Sequence, residues 1–268
     1  MFDIGVNLTS QEFIRDYDKV VQRAHEAGVT GMIIIGTTML NSRQAIILAE
    51  KDVKYLWSTI GIHPHYASTW SKKINSEMRK LVIHPCIVAV GECGLDFYRN
   101  FSTKKEQMYA FQAQIELAIE LHMPVFLHCR NAHKDFMSIL SPWIPTLKAV
   151  LVHCFTGTQS ELEVYLENDF YIGITGWICD TKRGADLCKL IPLIPSNRLV
   201  IETDSPWLIP KDIFPMPSSR RNEPSFLPHI MQKVAILRED NIVNLSHQTT
   251  CNAHALFNLS SNIRDIII

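Results

Sequence analysis

Five short apolar runs in this 268-residue chain each end on a side chain that can ligate a metal: Ser58–His63, Ile87–Glu92, Pro124–His128, Ala149–His153 and Leu199–Asp204. Carboxylate oxygens and imidazole nitrogens in one set suit Mg²⁺, Mn²⁺ or Zn²⁺. Such an ion can polarise a phosphoryl or carbonyl oxygen and activate a water, and a bridging carboxylate can hold two ions about 3.5–4 Å apart. Taken singly, each of these residues reads best as a buried polar group with a hydrogen bond. Together they point to a hydrolytic metal centre.

Glu92, His128, His153 and Asp204 form the expected ligand set, two carboxylates and two imidazoles. Asp204 is best placed to take a proton from the attacking water, and Glu92 and His63 join it as the residues nearest the chemistry. His63 and His65, on either side of Pro64, are expected to touch substrate. Glu202 shares a strand face with Asp204 and would lie one layer deeper in the barrel. A carboxylate there needs a partner, so it should orient a ligand or an arginine such as Arg130. Arg130 itself, two residues beyond His128, is at a height to meet a substrate anion. The tandem Arg220 and Arg221, with Asn222, offer further donors to phosphate oxygens. Trp177, Trp207 and Phe226 are candidates for stacking on bases.

Positioning such a set requires strands that all end at the same level. Eight short apolar segments qualify: Phe2–Leu8, Gly31–Gly36, Leu56–His63, Ile87–Cys93, Pro124–Cys129, Ala149–Phe155, Tyr171–Gly176 and Leu199–Asp204. Runs of this kind read as buried parallel strands, and the gaps between them leave room for helices. Lys105–Leu121 has helical spacing, with Met108, Phe111, Ile115 and Ile119 on one face and Lys, Glu and Gln elsewhere. Thr103 or Ser102 would cap it, and Glu106 completes a capping box with Thr103. The expected fold is an α/β, (β/α)₈ TIM barrel of the metal-dependent hydrolase type, with its site at the C-terminal mouth. Pro206–Pro228 reads as a long mouth loop, and Leu227–Asn262 as helix that closes the barrel. No linker or composition shift divides the chain, so residues 1–268 are expected to form one domain.

Composition narrows the partners. A formal charge of −1 gives no global basic field, so a nucleic-acid substrate must be gripped by a local patch and by metal. The apolar runs are too short to span a bilayer. The N-terminus lacks a basic region before its first apolar run, and seven cysteines occur without a CxxC pair. Both suit a cytoplasmic protein, and a monomer is expected. Cys93, Cys129 and Cys154 each follow a ligand, so alternation should turn them outward against the helices.

The motifs Gly61-Ile-His-Pro-His65, Gly91-Glu-Cys-Gly-Leu-Asp96, Pro124-Val-Phe-Leu-His-Cys-Arg130, His153-Cys-Phe-Thr-Gly157, Ile201-Glu-Thr-Asp-Ser-Pro206 and Arg221-Asn-Glu-Pro224 follow one another over nearly the whole chain. As an ordered set they resemble the TatD family of metal-dependent deoxyribonucleases. The resemblance implies a TIM barrel and a 3′–5′ exonuclease preferring single-stranded DNA or RNA, with a role in repair of oxidative DNA damage. It places metal ligands at Glu92, His128, His153 and Asp204. One segment departs from the family pattern. Where the family usually carries Asp-x-His-x-His, this chain reads Asp3-Ile-Gly5-Val-Asn7. Gly cannot ligate and an amide oxygen suits hard Mg²⁺, so one firm metal position and a weak second are expected, with Mg²⁺ ahead of Mn²⁺ or Zn²⁺. Two rival readings share the barrel and ligands: an amidohydrolase acting on a small molecule, and a nucleic-acid binder without catalysis.

Overall fold

The computed structural model describes residues 1–259. Eight parallel strands run in sequential order: β1 (Phe2–Val6), β2 (Gly31–Ile34), β3 (Leu56–Ile60), β4 (Ile87–Asp96), β5 (Val125–Arg130), β6 (Val150–Val152), β7 (Tyr171–Ile174) and β8 (Leu199–Ile201). Closure is made just beyond β8. Asn7 N donates to Ser205 O at 2.8 Å and Asp204 N to Gly5 O at 2.9 Å, so the first strand pairs with the segment that carries Asp204. All eight expected strands are present, several one to three residues shorter at the ends where the ligands sit.

Helices α1 (Tyr17–Glu26), α2 (Met39–Ala49), α3 (Lys72–Leu81), α4 (Lys104–Glu120), α5 (His133–Leu140), α6 (Gln159–Glu167) and α7 (Ala185–Leu190) follow successive strands, and α8 (Leu227–Arg238) and α9 (Ile242–Phe257) follow the last. The large core lies between strands and helices. A second, smaller core fills the barrel itself with Phe2, Ile4, Ile33, Ile35, Phe126, Leu151 and Val200. Ala253, Leu256 and Phe257 of α9 join that inner cluster from below. Asn252 fixes them there, donating 2.7 Å bonds to Ser196 O and Leu199 O at the start of β8. The expected closing helix is therefore a floor plug, interrupted by a left-handed Glu239 between α8 and α9. The expected segment ran to Asn262, and its last three residues lie outside the described residues.

Helix α4 has the capping box read from sequence: Thr103 Oγ1 accepts from Glu106 N, and Glu106 accepts from Thr103 N at 2.8 Å. Its glutamines differ from expectation. Gln107 and Gln114, seven residues apart, face inward and are fully buried. Gln107 accepts from Asp96 N at 2.8 Å and donates to Asp96 O and Ser102 O. Gln114 accepts from Ile62 N at 2.8 Å and donates to Ile62 O. These amides satisfy backbone groups where β3 and β4 leave the ladder, which would otherwise be buried without partners. The helix thereby holds the two segments that carry His63, His65 and Asp96.

Candidate metal centre

At the C-terminal mouth three imidazoles converge on one carboxylate oxygen. Glu92 Oε1 lies 2.7 Å from His153 Nε2, 2.9 Å from His128 Nδ1 and 3.2 Å from His63 Nε2. Each comes from a different strand end. Glu92 follows Gly91, whose φ of 138° turns the chain at a bulge in β4 and leaves Cys93 facing the helices in the outer core. His128 is the fourth residue of β5, and His153 extends β6 by donating its N–H to Leu127 O at 3.0 Å. His63 caps the two-turn 3₁₀ helix Pro64–Thr69, with its Nδ1 accepting from His65 N at 3.1 Å. That bond turns Nε2 toward Glu92.

The structure thus brings His63 into the ligand cluster. One donor atom each from His63, Glu92 and His128 fall within 4.8 Å of one another. Asp204 lines the same cleft, and its Oδ1 accepts from Asn7 Nδ2 at 2.9 Å. Asn7 therefore positions Asp204, a role that reading it only as a poor ligand had missed. Glu202 is fully buried beneath. It accepts from Cys154 N at 2.6 Å and lies 3.4 Å from His153 Nδ1, so it orients His153 and not Arg130.

Asp96 was also missed, although it shares a strand face with Glu92. Its Oδ2 lies 2.8 Å from His65 Nε2 and 3.6 Å from His128 Nε2, and its Oδ1 accepts from the N–H groups of Tyr98 and Arg99. Burial opposes its ionisation, but His128, His65 and the Arg99 N–H outweigh that and hold the carboxyl far below its usual range.

Charge inside the cluster follows the same balance. Burial alone would raise Glu92, yet the imidazoles of His153, His63 and His128 keep it well below the usual carboxylate range. Burial disfavours the cationic forms of His128 and His153, but Asp96 and Glu92 raise the first, and Glu92 and Glu202 raise the second well above normal. His63 goes the other way, pushed down to about 4 by burial. Asp204 is pushed up to about 7, chiefly by burial. His128 Nε2 is buried with no hydrogen-bond partner. An orphaned ring nitrogen beside a carboxylate shared by three imidazoles fits a divalent cation, which would replace the protons now bridging these groups.

The cleft above has a volume of about 430 Å³. Arg130 lines it, as expected, with its guanidinium 4.1 Å from the Tyr98 ring centroid. Arg99 and Arg183, not foreseen from sequence, line it too. So do Trp177 and Trp207, whereas Phe226 does not. Cys154 departs from expectation: β6 has ended, its φ is 44°, and it lines the cleft. The loop after β8 brings a larger correction. Arg221 Nη atoms donate to both Asp16 oxygens at 2.8 Å and to Glu223 at 2.5 Å, and its guanidinium covers Phe13. Asn222 is fully buried and donates to Thr203 O and Trp207 O. Arg220 is exposed and is not among the cleft residues. Loop position alone suggested phosphate binding; in the fold the donors of Arg221 and Asn222 are spent on holding the loop to α1 and to the segment after β8.

Residues 2–258 match the sequence profile described as TatD related DNase. The chain is 59% identical to the 3′-5′ ssDNA/RNA exonuclease TatD of Erwinia amylovora over 97% of this chain and 100% of that protein. It is 60% identical to the protein of the same description from Erwinia tasmaniensis, with the same coverage. Among solved structures it is similar to the TatD homolog YJJV from Escherichia coli K12, with a TM-score of 0.88, 24% identity, and 97% and 98% of the two chains covered. An uncharacterized amidohydrolase from Saccharomyces cerevisiae shares the fold, with a TM-score of 0.86, 22% identity, and 96% and 99% covered.

Proposed function

The chain belongs to the TatD-related DNase family, and from that premise we propose that it is a 3′–5′ exonuclease hydrolysing phosphodiester bonds of single-stranded DNA and RNA. The observation that carries the reading is the convergence of His63, His128 and His153 on Glu92 at a barrel mouth rimmed by arginine and tryptophan.

His63, Glu92, His128 and His153 would hold a divalent cation, with Asp204 of the same cleft completing the set. When bound, the cation supplies charge that polarises the scissile phosphate and makes a nearby water easier to deprotonate. We take it to be Mg²⁺, with Mn²⁺ and Zn²⁺ as competitors, the second because imidazoles suit it. Asp204, held by Asn7, accepts the proton of the attacking water. Glu202 fixes the ring of His153, and Asp96 fixes His65 and faces His128. Arg130 and Arg99 meet the phosphates, and neither is drawn into an ion pair among the described residues. Trp177 and Trp207 offer faces on which unpaired bases stack, which favours single strands over duplex.

We further propose that the whole chain works as one domain, as a monomer, in the cytoplasm, where its seven free thiols stay reduced. Repair of oxidised DNA is the cellular task the family resemblance suggests. No helix among the described residues is long and apolar enough to cross a membrane. Against the amidohydrolase reading, no lysine among the described residues lines the cleft to carry a carbamate. The test is a panel of end-labelled single- and double-stranded DNA and RNA, with and without Mg²⁺. Mononucleotide release from 3′ ends of single strands, lost in Glu92→Ala, is expected. Binding without cleavage in the wild type would refute the enzyme reading.

A further inference from the structure

On the far side of the turn that carries Trp177, three side chains from three separate elements come together. Cys179 ends the short turn Gly176–Cys179 after β7 and is buried. Asp212 lies in the loop after β8, and His229 is the third residue of α8. One donor atom from each falls within 4.8 Å of the others. His229 Nε2 is 2.7 Å from Asp212 Oδ1, while Lys233 Nζ takes Oδ2 at 3.2 Å.

We propose that Cys179, Asp212 and His229 form a second metal site, distinct from the barrel-mouth cluster, that binds Zn²⁺. One thiolate, one imidazole and one carboxylate are a donor set that zinc accepts and that Mg²⁺ does not favour. In a tetrahedral zinc site the donor atoms stand roughly 3.3–3.5 Å apart, from metal–ligand bonds of about 2.0–2.3 Å. The His229–Asp212 pair, now 2.7 Å apart, would open to admit the ion, while Cys179, within 4.8 Å of both, moves in. Water from the exposed side of Asp212 supplies the fourth ligand. Burial and Asp212 keep the Cys179 thiol protonated in the metal-free protein. Binding replaces that S–H with an S–Zn bond and releases the proton to solvent. Lys233 is the opposing charge. Among the described residues it is held only through Asp212 Oδ2, and it is partly exposed, so it can turn to water as the cation enters.

The site has a structural consequence. The loop after β8 already leans on the β7 turn: Lys211 pairs with Asp180 at 3.0 Å, and a Cβ on Gly176 would overlap the Leu208 carbonyl. A zinc ion bridging Cys179, Asp212 and His229 would clip that loop, with Trp207 and Leu208, to the turn carrying Trp177 and to α8. It would set the height of the cleft rim without touching the catalytic cluster.

Cobalt reports on it directly, because a thiolate ligand gives Co²⁺ an intense near-ultraviolet charge-transfer band. The full chain carrying Glu92→Ala, stripped by chelator and titrated with Co²⁺, should develop that band to saturation at one equivalent, and Zn²⁺ should abolish it. Adding Cys179→Ser should remove the band, and His229→Gln should weaken Co²⁺ binding by more than ~10-fold, the scale seen when a metal site loses a supporting partner. Lys233→Met, which leaves all three ligands in place, should tighten binding. No band in the parent protein, or a band unchanged by Cys179→Ser, would overturn the proposal. Weaker binding in Lys233→Met would also count against it.

Discussion

The carboxylate of Glu202 occupies the space above Gly5: a Cβ built on Gly5 would overlap Glu202 Oε2. On the opposite side, a Cβ on Gly173 would come within 2.6 Å of Oε1. Two glycines thus make room for a fully buried acid that accepts from Cys154 N and faces His153. Gly5 is less a missing ligand than the seat of a residue that orients one. Glu202→Gln should lower activity ~10–100-fold, as loss of a partner behind a metal-binding histidine does. Gly5→Ala should do the same by displacing the carboxylate, and Gly5→His should not recruit a further ion. Steady-state rates and bound-metal analysis of the three variants check this; an active Gly5→His enzyme with extra metal would contradict it.

Removing the hub should disperse the cluster. In Glu92→Ala the three imidazoles lose their common partner, so cleavage should fall below detection while the circular dichroism of the barrel stays intact. Chelation should silence the wild type in the same way. Adding metal back to 100 times its Kd should raise unfolding stability by about 2.7 kcal/mol, and this gain should be lost in Glu92→Ala.

The rim should act on substrate binding. Arg130→Ala and Trp177→Ala should each raise KM on single-stranded substrate more than they lower kcat. Trp177→Ala should cost roughly 1–3 kcal/mol, the range for one base stacked on an aromatic ring. Arg220→Ala, outside the cleft, should leave both constants near wild type. Equal effects of Arg220 and Arg130 substitutions would restore the loop to the binding surface.

Arg221 should matter for stability. Its ties to Asp16 and Glu223 join the loop after β8 to α1, and Arg221→Ala should cost roughly 1–3 kcal/mol, as breaking a partly buried ion network does. Its partner gives a pH signature. Hydrogen bonds from Arg221, and then Arg23, hold Asp16 down at about 2 against an ordinary 3.8, although burial opposes them. Above about pH 4 the carboxyl is ionised in both folded and unfolded chains, and its full contribution is present. As pH falls through 3.8 toward about 2, the unfolded chain takes up the proton first and the contribution is lost. The melting-temperature gap between wild type and Asp16→Asn should therefore be constant near neutrality and close over that acid interval. A gap that widens toward low pH would show that Asp16 is not held by the arginines.

Local pattern was enough to establish the strands, the capped helix α4 and the side chains at the strand ends, because each depends on the period of one element. Glu92, His128 and His153 were readable for that reason, and so was the depth of Glu202. Asp96 was readable in principle from the same alternation. What no period encodes is the partner that arrives from elsewhere in the chain. That His63 shares an oxygen with His128 and His153, that Asn7 holds Asp204 across the seam of the barrel, and that Gln107 and Gln114 face inward to satisfy strand ends are all tertiary outcomes. The Arg220–Asn222 loop misled for the same reason. A loop has no period, and its donors go wherever buried acceptors and carboxylates are left unpaired, which here is Asp16, Glu223 and the Thr203 carbonyl, not the substrate cleft.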